Sequence, residues 1–290
     1  MKKLLLRVIY VARLVLTRLG LERNPLVGRA YRVIFNAAAP DLSAPLDFRG
    51  VSLEVDPEDR SYVMGIVGGY YESMELDIFE RLVGDCSIMF DLGANIGMYS
   101  VIGCRKAEQL RSYAFEPVSE NQAILKRNAE RNGVAERVLL QPVAVSYGTG
   151  KARIHIGDSG NHSLVNPQGG DSREIETVSL DDFIASHGIV PDLLKIDVEG
   201  NEAAVIDGAT ALLASTPPTT FMEYTPAAQR DLDGLIGRLS STFQVCFEVD
   251  DVERKVRELR PGQLDRNRAC NLVLTSDQRH AETIRSFIVG

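Results

Sequence analysis

The middle of the chain alternates short apolar runs with segments of helical periodicity. Short runs built on bulky apolar residues, at 87–92 and 192–197, are typical of strands that are buried on both faces. The segment 119–132 between them spaces its apolar residues as an amphipathic helix does, and further helices are predicted at 73–83, ahead of both runs, and at 201–214. Near the C-terminus, strands are predicted at 243–249 and 271–274 with a polar turn region between them. Strands that alternate with helices form a mainly parallel sheet with helices on both of its faces. The pattern therefore predicts a doubly wound α/β domain over residues 85–290.

The first 84 residues do not follow this alternation. Residues 1–19 place apolar side chains on one half of a helical wheel and basic side chains on the other. A second helix is predicted at 25–39, and alternating residues around 46–55 predict a hairpin. We therefore expect residues 1–84 to form a helical extension and lead-in to the larger domain.

Charge is concentrated in this extension. Residues 1–36 carry eight Lys or Arg and one Glu, whereas the whole chain has a net charge of −8. A basic amphipathic helix can lie on an anionic membrane surface, so residues 1–20 predict a peripheral membrane contact or, alternatively, docking on the protein's own body. Arg7 and Arg13 interrupt the apolar run and make it a poor secretory signal.

Composition narrows the class of protein further. The acidic balance argues against a nucleic-acid partner. The four cysteines are widely spaced without a C-x-x-C pair, which disfavours zinc and a disulfide framework. No run approaches the ~18 apolar residues of a membrane span. We therefore expect a cytoplasmic protein, either free or peripheral on the inner face of the membrane.

A turn of small residues follows the first buried strand and precedes a predicted helix at 98–106. The turn includes Gly93, Ala94, Asn95 and Gly97. Small residues let a ligand approach the backbone, and a helix start offers unpaired N–H groups. A dinucleotide turn needs G-x-G-x-x-G, and two of its three glycines are missing here. Asp91, at the end of the strand, favours a cationic ligand over a phosphate.

A second apolar run, at 113–115, ends on Glu116 and Pro117. A carboxylate at that position can accept hydrogen bonds from both hydroxyls of a ribose. Farther along the chain, Val143 and Ala144 are small apolar residues that could flank an adenine ring. An adenosine-bearing cation without a pyrophosphate is S-adenosylmethionine, which we predict as the cofactor; a purely structural glycine turn is the alternative interpretation.

Acidic side chains close three of the predicted strands. They are Asp91, Asp197 with Glu199 close behind it, and Glu223. Because parallel strands of one sheet end at the same edge, we expect these acids to converge there. Each of them could instead be a helix cap.

In these motifs the chain resembles the FkbM-type S-adenosylmethionine-dependent methyltransferases, over about residues 88–224. The residues that carry the resemblance are FDLGANIG at 90–97, FEP at 115–117, 128–133, SLDDF at 179–183, LKIDVEG at 194–200, Glu202 and 208–209. The resemblance implies a class I methyltransferase (Rossmann-like) fold, whose seven-stranded mixed sheet has the order 3-2-1-4-5-7-6, and it implies O-methylation. By position, residues 91–97 would hold the methionine part of the cofactor and Glu116 the ribose, while Asp197 and Glu199 would line the reaction chamber.

An alcohol that accepts a methyl group must lose its proton, either to a base or near a metal. His162, in a polar loop at 157–170, is one candidate base. Asp197, Glu199 and Glu223 are the other candidate catalytic residues. Asp197 and Glu199 could also ligate Mg²⁺ through hard oxygens, but a metal is not expected, since Glu223 is the one further ligand in evidence.

The sequence thus predicts an S-adenosylmethionine-dependent O-methyltransferase acting on a hydroxyl of a glycan, glycolipid or secondary metabolite. The basic N-terminal helix favours a lipid-linked acceptor. The alternative is a non-catalytic S-adenosylmethionine-binding or scaffold subunit of a glycan or natural-product pathway. A nicotinamide-dependent dehydrogenase is disfavoured by the spacing of the turn.

Overall fold

The chain divides into two compact units, one ending at Glu72 and the other beginning at Ser73. The computed structural model describes residues 44–56, 60–155, 172–229 and 231–288. The helices predicted at 1–19 and 25–39 and the loop that carries His162 lie outside the described residues. The domain boundary predicted after residue 84 remains a prediction.

In the first unit, the alternating residues form the predicted hairpin. Strand β1 (Leu46–Phe48) pairs antiparallel with β2 (Val51–Leu53) through a turn at Arg49 and Gly50. The apolar residues of both strands are buried on one face. Helix α1 (Arg60–Gly68) completes the described part of this unit.

The second unit alternates strands and helices as the sequence pattern predicts. Its first elements are α2 (Ser73–Leu82), β3 (Ile88–Leu92), α3 (Met98–Lys106), β4 (Arg111–Phe115), α4 (Ser119–Arg131), β5 (Val138–Gln141), β6 (Ala144–Val145), β7 (Gly150–His155), β8 (Ser172–Val178) and α5 (Leu180–His187). They are followed by β9 (Leu193–Ile196), α6 (Glu202–Asp207), α7 (Thr210–Ser215), β10 (Thr219–Tyr224), α8 (Leu232–Thr242), β11 (Val245–Asp250), β12 (Lys255–Leu259), β13 (Cys270–Thr275) and α9 (Gln278–Arg285). None of the helices among the described residues has the length and hydrophobicity that crossing a bilayer requires.

The large sheet has the strand order implied by the resemblance, with one strand added. Its order is β12-β11-β13-β10-β9-β3-β4-β5, with β13 antiparallel to both of its neighbours. Counted from β3 and without the small sheet, this is the order 3-2-1-4-5-7-6. The class I α/β fold is therefore confirmed, and β12 extends it by an edge strand. Strands β6, β8 and β7 form a separate small sheet.

Strand β12 lies in a segment that the sequence pattern assigned to a polar turn. Charged side chains occupy most of β12, and its pairing runs antiparallel to β11. Such a strand has little apolar signal because only one residue, Val256, is buried. Charges along an edge strand also disfavour pairing with another chain.

The single helix predicted over 201–214 is in fact two helices, α6 and α7. The Asp181 carboxylate accepts the N–H groups of Ala211 and Leu212 at 2.8 and 3.0 Å, which satisfies the free donors of a new helix start. At the break, Gly208 packs so closely on the Ser146 carbonyl that a Cβ would lie 2.2 Å from it. The side chain that caps the start of α7 is thus distant in the chain. The local periodicity of 201–214 therefore does not reveal the break between α6 and α7.

Both faces of the large sheet are packed with aromatic side chains. On one face, the rings of Phe90, Phe115 and Phe183 meet edge to face at centroid distances of 4.9–5.5 Å. On the other face, Phe79 of α2 packs on Phe221 of β10 with centroids 5.8 Å apart. Each fully buried Phe contributes roughly 1.5–3 kcal/mol by removal from water. This packing fixes the strand ends that carry the candidate site.

Candidate active site

The turn after β3 is shaped by the close approach of the segment after β9. Gly93 has φ +77°, and a Cβ on it would lie 1.9 Å from the carbonyl oxygen of Asp197. The two segments are also joined by a hydrogen bond from the Asp197 N–H to the Leu92 carbonyl at 3.0 Å. Only glycine fits at position 93, so the turn and the strand-end acid form one rigid piece.

Glu116 is held by the backbone on both of its carboxylate oxygens. The N–H of Asn95 donates to Oε2 and the N–H of Val118 donates to Oε1, both at 2.8 Å. The side chain is buried, and burial raises its pKa to about 7 although these donors oppose the shift. The carboxylate is therefore fixed beside the glycine turn, and its predicted contact with a ribose remains a prediction.

Asp91 lies beneath the turn, at the end of β3. Its Oδ2 accepts hydrogen bonds from the hydroxyl and the N–H of Ser100, at 2.6 and 3.2 Å. Burial raises the pKa of Asp91 to about 6, against the effect of the hydrogen bonds and of Lys195. Asp91 thus ties the turn to α3, and its predicted contact with the cofactor remains a prediction.

The structure brings the acids at the carboxyl ends of β9 and β10 close enough to influence one another. Asp197 and Glu223 are both half-buried, and the side chain of Asp197 is 32% exposed. Burial raises the pKa of Glu223 to about 8, and the charges of Asp197, Glu199 and Glu202 add to the shift. The carboxyl edge is therefore strongly acidic, and Glu223 holds its proton at neutral pH more readily than an ordinary glutamate.

The predicted adenine-flanking residues follow the neighbouring strands β4 and β5. Pro117 comes directly after Glu116, and the Glu116 N–H donates to the Gln141 carbonyl at 3.0 Å. Val143 is half-buried and Ala144 buried, two and three positions after Gln141. Both segments thus leave the same edge of the sheet, but their contact with an adenine remains a prediction.

Two residues beneath the candidate site, Lys195 and Glu75, are not singled out by the sequence. Lys195 lies two positions before Asp197 in the chain, a position that predicts only charge balance. In the structure it is buried, with Nζ 3.3 Å from Glu75 Oε1 and 3.4 Å from Asp197 Oδ2. Its ammonium also lies 5.0 Å from the centroid of the Tyr99 ring, and the Tyr99 hydroxyl donates to Glu75 at 2.9 Å. Burial raises the pKa of Glu75, and Lys195 opposes that shift. The only sequence signal for Glu75 was an acid on the apolar face of the predicted helix 73–83.

Asp197 and Glu199, the predicted Mg²⁺ ligands, are not part of a larger group of metal-binding side chains among the described residues. In the part of the chain that the structure describes, no group of three or more His, Cys, Asp or Glu side chains could hold a metal ion. His162 is outside that part, so its role as a base stays a prediction.

The strand order, with a glycine turn after the first of the parallel strands, defines a class I methyltransferase fold. The chain belongs to the FkbM methyltransferase family, whose domain matches residues 91–259. It is 30% identical over 201 residues to the 31-O-demethyl-FK506 methyltransferase FkbM of Streptomyces tacrolimicus, covering 56% of this chain and 75% of that protein. It is also 30% identical over 148 residues to the hexuronic acid methyltransferase AglP of Haloferax volcanii, covering 49% of this chain and 59% of AglP.

A solved structure of methyltransferase FkbM from Methylobacillus flagellatus KT is also similar to this chain. The TM-score is 0.44 at 17% identity, covering 85% of this chain and 60% of the other. The family match, rather than this superposition, identifies the protein as a methyltransferase. Glu75 and the rest of α2 lie outside the matched residues 91–259.

Proposed function

We propose that the protein is an S-adenosylmethionine-dependent O-methyltransferase that modifies a hydroxyl of a glycan, glycolipid or secondary metabolite. The proposal is carried by two features that occur together. The backbone fixes the carboxylate of Glu116, and Asp197 and Glu223 make the neighbouring strand edge acidic. The names of the two curated relatives, an O-demethyl-FK506 methyltransferase and a hexuronic acid methyltransferase, support this range of acceptors.

The residues at this edge fit the cofactor chemically. S-adenosylmethionine supplies an electrophilic methyl carbon on a positively charged sulfur. The carboxylate of Asp197 would stabilise that charge, while Glu116 would hold the ribose. The turn at Gly93 brings the backbone of Asp197 close to the end of β3 and so places that acid at the edge. These acidic side chains are suited to a cation. They do not form the cluster of basic side chains that would bind a pyrophosphate.

Glu223 is our candidate for the base. A general base works best when its pKa lies near the working pH, and burial with its acidic neighbours raises the pKa of Glu223 to about 8. In the ionised form, Glu223 would take the proton of the acceptor hydroxyl on a carboxylate oxygen while the oxygen attacks. Asp197 and Glu199 would remain charged beside it and line the chamber. His162 is the alternative base.

The N-terminal residues bear on the acceptor. The eight basic residues within 1–36 support a lipid-linked or membrane-proximal acceptor. Sedimentation with anionic liposomes should therefore drop when residues 1–20 are deleted. If the full-length and shortened proteins sediment equally, residues 1–20 do not bind the membrane.

The decisive test is transfer of tritium from methyl-labelled S-adenosylmethionine into cell-envelope, lipid and metabolite extracts, with the product identified by mass. Glu223→Gln should lower the transfer rate by about 10²-fold or more, because an amide cannot accept the proton. Glu174→Gln, which changes an exposed glutamate of the small sheet, is the matched control.

Two results would overturn parts of the proposal. Protein that binds the cofactor but methylates nothing in any extract would favour the non-catalytic scaffold subunit. Protein that ignores S-adenosylmethionine and S-adenosylhomocysteine in calorimetry while binding NAD would remove the cofactor assignment altogether.

A further inference from the structure

Helix α2 is fastened to the sheet by the turn between β11 and β12. Asp251 Oδ1 accepts the N–H groups of Met74 and Glu75 at 2.6 and 3.2 Å, which caps the start of the helix. Arg254 in the same turn donates to Asp77 at 2.7 Å. These contacts fix the axial position of α2 and therefore the position of Glu75 in its first turn.

Glu75 and Lys195 form an ion pair in the layer beneath the site. Their side chains are only 1% and 3% exposed. Glu75 Oε1 receives both the Lys195 ammonium and the Tyr99 hydroxyl, while its Oε2 is buried with no hydrogen-bond partner in the described part of the chain. A buried charge is retained only when it is closely paired, so this pair fixes both side chains.

Lys195 also reaches outward to Asp197, at 3.4 Å. Asp197 lies at the strand edge, where its side chain is 32% exposed. A partly exposed carboxylate of this kind can turn towards solvent unless a cation holds it. Lys195 is too deeply buried to meet an acceptor, so its effect on the reaction must pass through a neighbour.

We propose that Lys195, held in place by Glu75, is a positioning residue that keeps the Asp197 carboxylate directed along the strand edge towards the sulfonium. This inference rests on the proposed function. It adds to the site a residue of α2, outside the segment that matches the family.

The competing explanation is that Lys195 merely balances the charge of the buried acids. A double-mutant cycle distinguishes the two, because residues that act through each other are not additive. The variants are Lys195→Met, Asp197→Asn and their combination. Calorimetry gives the Kd for S-adenosylmethionine, and tritium transfer gives the rate.

If Lys195 acts through Asp197, Lys195→Met should weaken S-adenosylmethionine binding on the order of tenfold in the wild-type background. The same substitution should have no effect when Asp197 is already Asn. The transfer rate should fall about 10²-fold, as expected for a misplacement of about 1 Å. S-adenosylhomocysteine lacks the sulfonium, so its Kd should change by less than about threefold.

Lys151→Met is the matched control, since it breaks an exposed Lys–Glu pair on the small sheet and should change neither measurement. Glu75→Gln provides a milder second variant if Lys195→Met does not fold. It keeps an oxygen for the Tyr99 hydroxyl but removes the charge that holds Lys195, and about a threefold loss of affinity is expected.

Equal effects of Lys195→Met in both backgrounds, or no effect in either, would overturn the inference while leaving the proposed function intact. Wild-type protein that binds no S-adenosylmethionine would instead remove the proposed function, and the inference with it. For the Glu75→Gln variant, unchanged affinity with a normal fold would likewise exclude the positioning role.

Discussion

Replacing Gly93 by alanine should damage both the stability and the site. At φ +77°, an L-residue costs roughly 1–2 kcal/mol. The added Cβ would also lie 1.9 Å from the Asp197 carbonyl oxygen. Reaching ordinary contact requires a backbone shift of about 1 Å or more. That shift would strain the hydrogen bond between Asp197 and Leu92, which contributes about 1 kcal/mol. Together these effects predict a loss of about 2–4 kcal/mol in the free energy of unfolding.

Gly133→Ala separates the effect of φ from that of space. Gly133 also has a positive φ, +66°, but nothing lies within 4 Å of the position that its Cβ would occupy. It should therefore lose only the backbone cost of about 1–2 kcal/mol. Urea denaturation of the two variants and the wild type measures the difference.

The affinity of the same two variants for S-adenosylmethionine provides a second, independent measurement. Movement of Asp197 by about 1 Å should weaken S-adenosylmethionine binding in Gly93→Ala and slow methyl transfer about 10²-fold, while Gly133→Ala stays near the wild-type values. If Gly93→Ala is no less stable than Gly133→Ala and binds the cofactor normally, the tight approach of the two segments is refuted.

Three further outcomes are expected. Burial lowers the pKa of His280, so the folded state favours the neutral ring. The contribution of His280 to the free energy of unfolding is complete above about pH 6.5 and declines as the pH falls. Urea midpoints should therefore drop more steeply towards pH 5 in the wild type than in His280→Gln. Because the pKa of Glu116 is about 7, S-adenosylmethionine binding should tighten between pH 6 and 8, and calorimetry of Glu116→Gln should show a weaker dependence, of which the part due to Glu223 remains. Asp181→Ala removes the acceptor for the N–H groups of Ala211 and Leu212 and should cost about 1 kcal/mol, seen as a fall of about 2 °C in Tm; unchanged melting would contradict its role as a cap.

The sequence predicts those parts of the fold that are determined by residues close to one another in the chain. The strand and helix around the glycine turn are local patterns, and the structure places α3 at Met98–Lys106, as predicted. The position of Glu116 beside that turn also follows from the sequence, because consecutive parallel strands end at the same edge. The strand order was implied by the family resemblance and not by periodicity.

Features made by distant residues could not be predicted in this way. The break between α6 and α7 depends on Asp181, about thirty positions earlier in the chain. The role of Lys195 depends on Glu75, and neither residue type is diagnostic without the fold. Strand β12 was missed because its charged side chains are exposed and only its backbone pairing with β11 makes it a strand.

The cap on α2 has a consequence for how the protein is made. Met74 and its acceptor Asp251 are 177 positions apart. During synthesis, α2 must emerge long before the turn that secures it, and domains fold as units once their parts are available. Nascent chains that stop before the β11–β12 turn would therefore lack this cap, so the start of α2 is secured only late in translation.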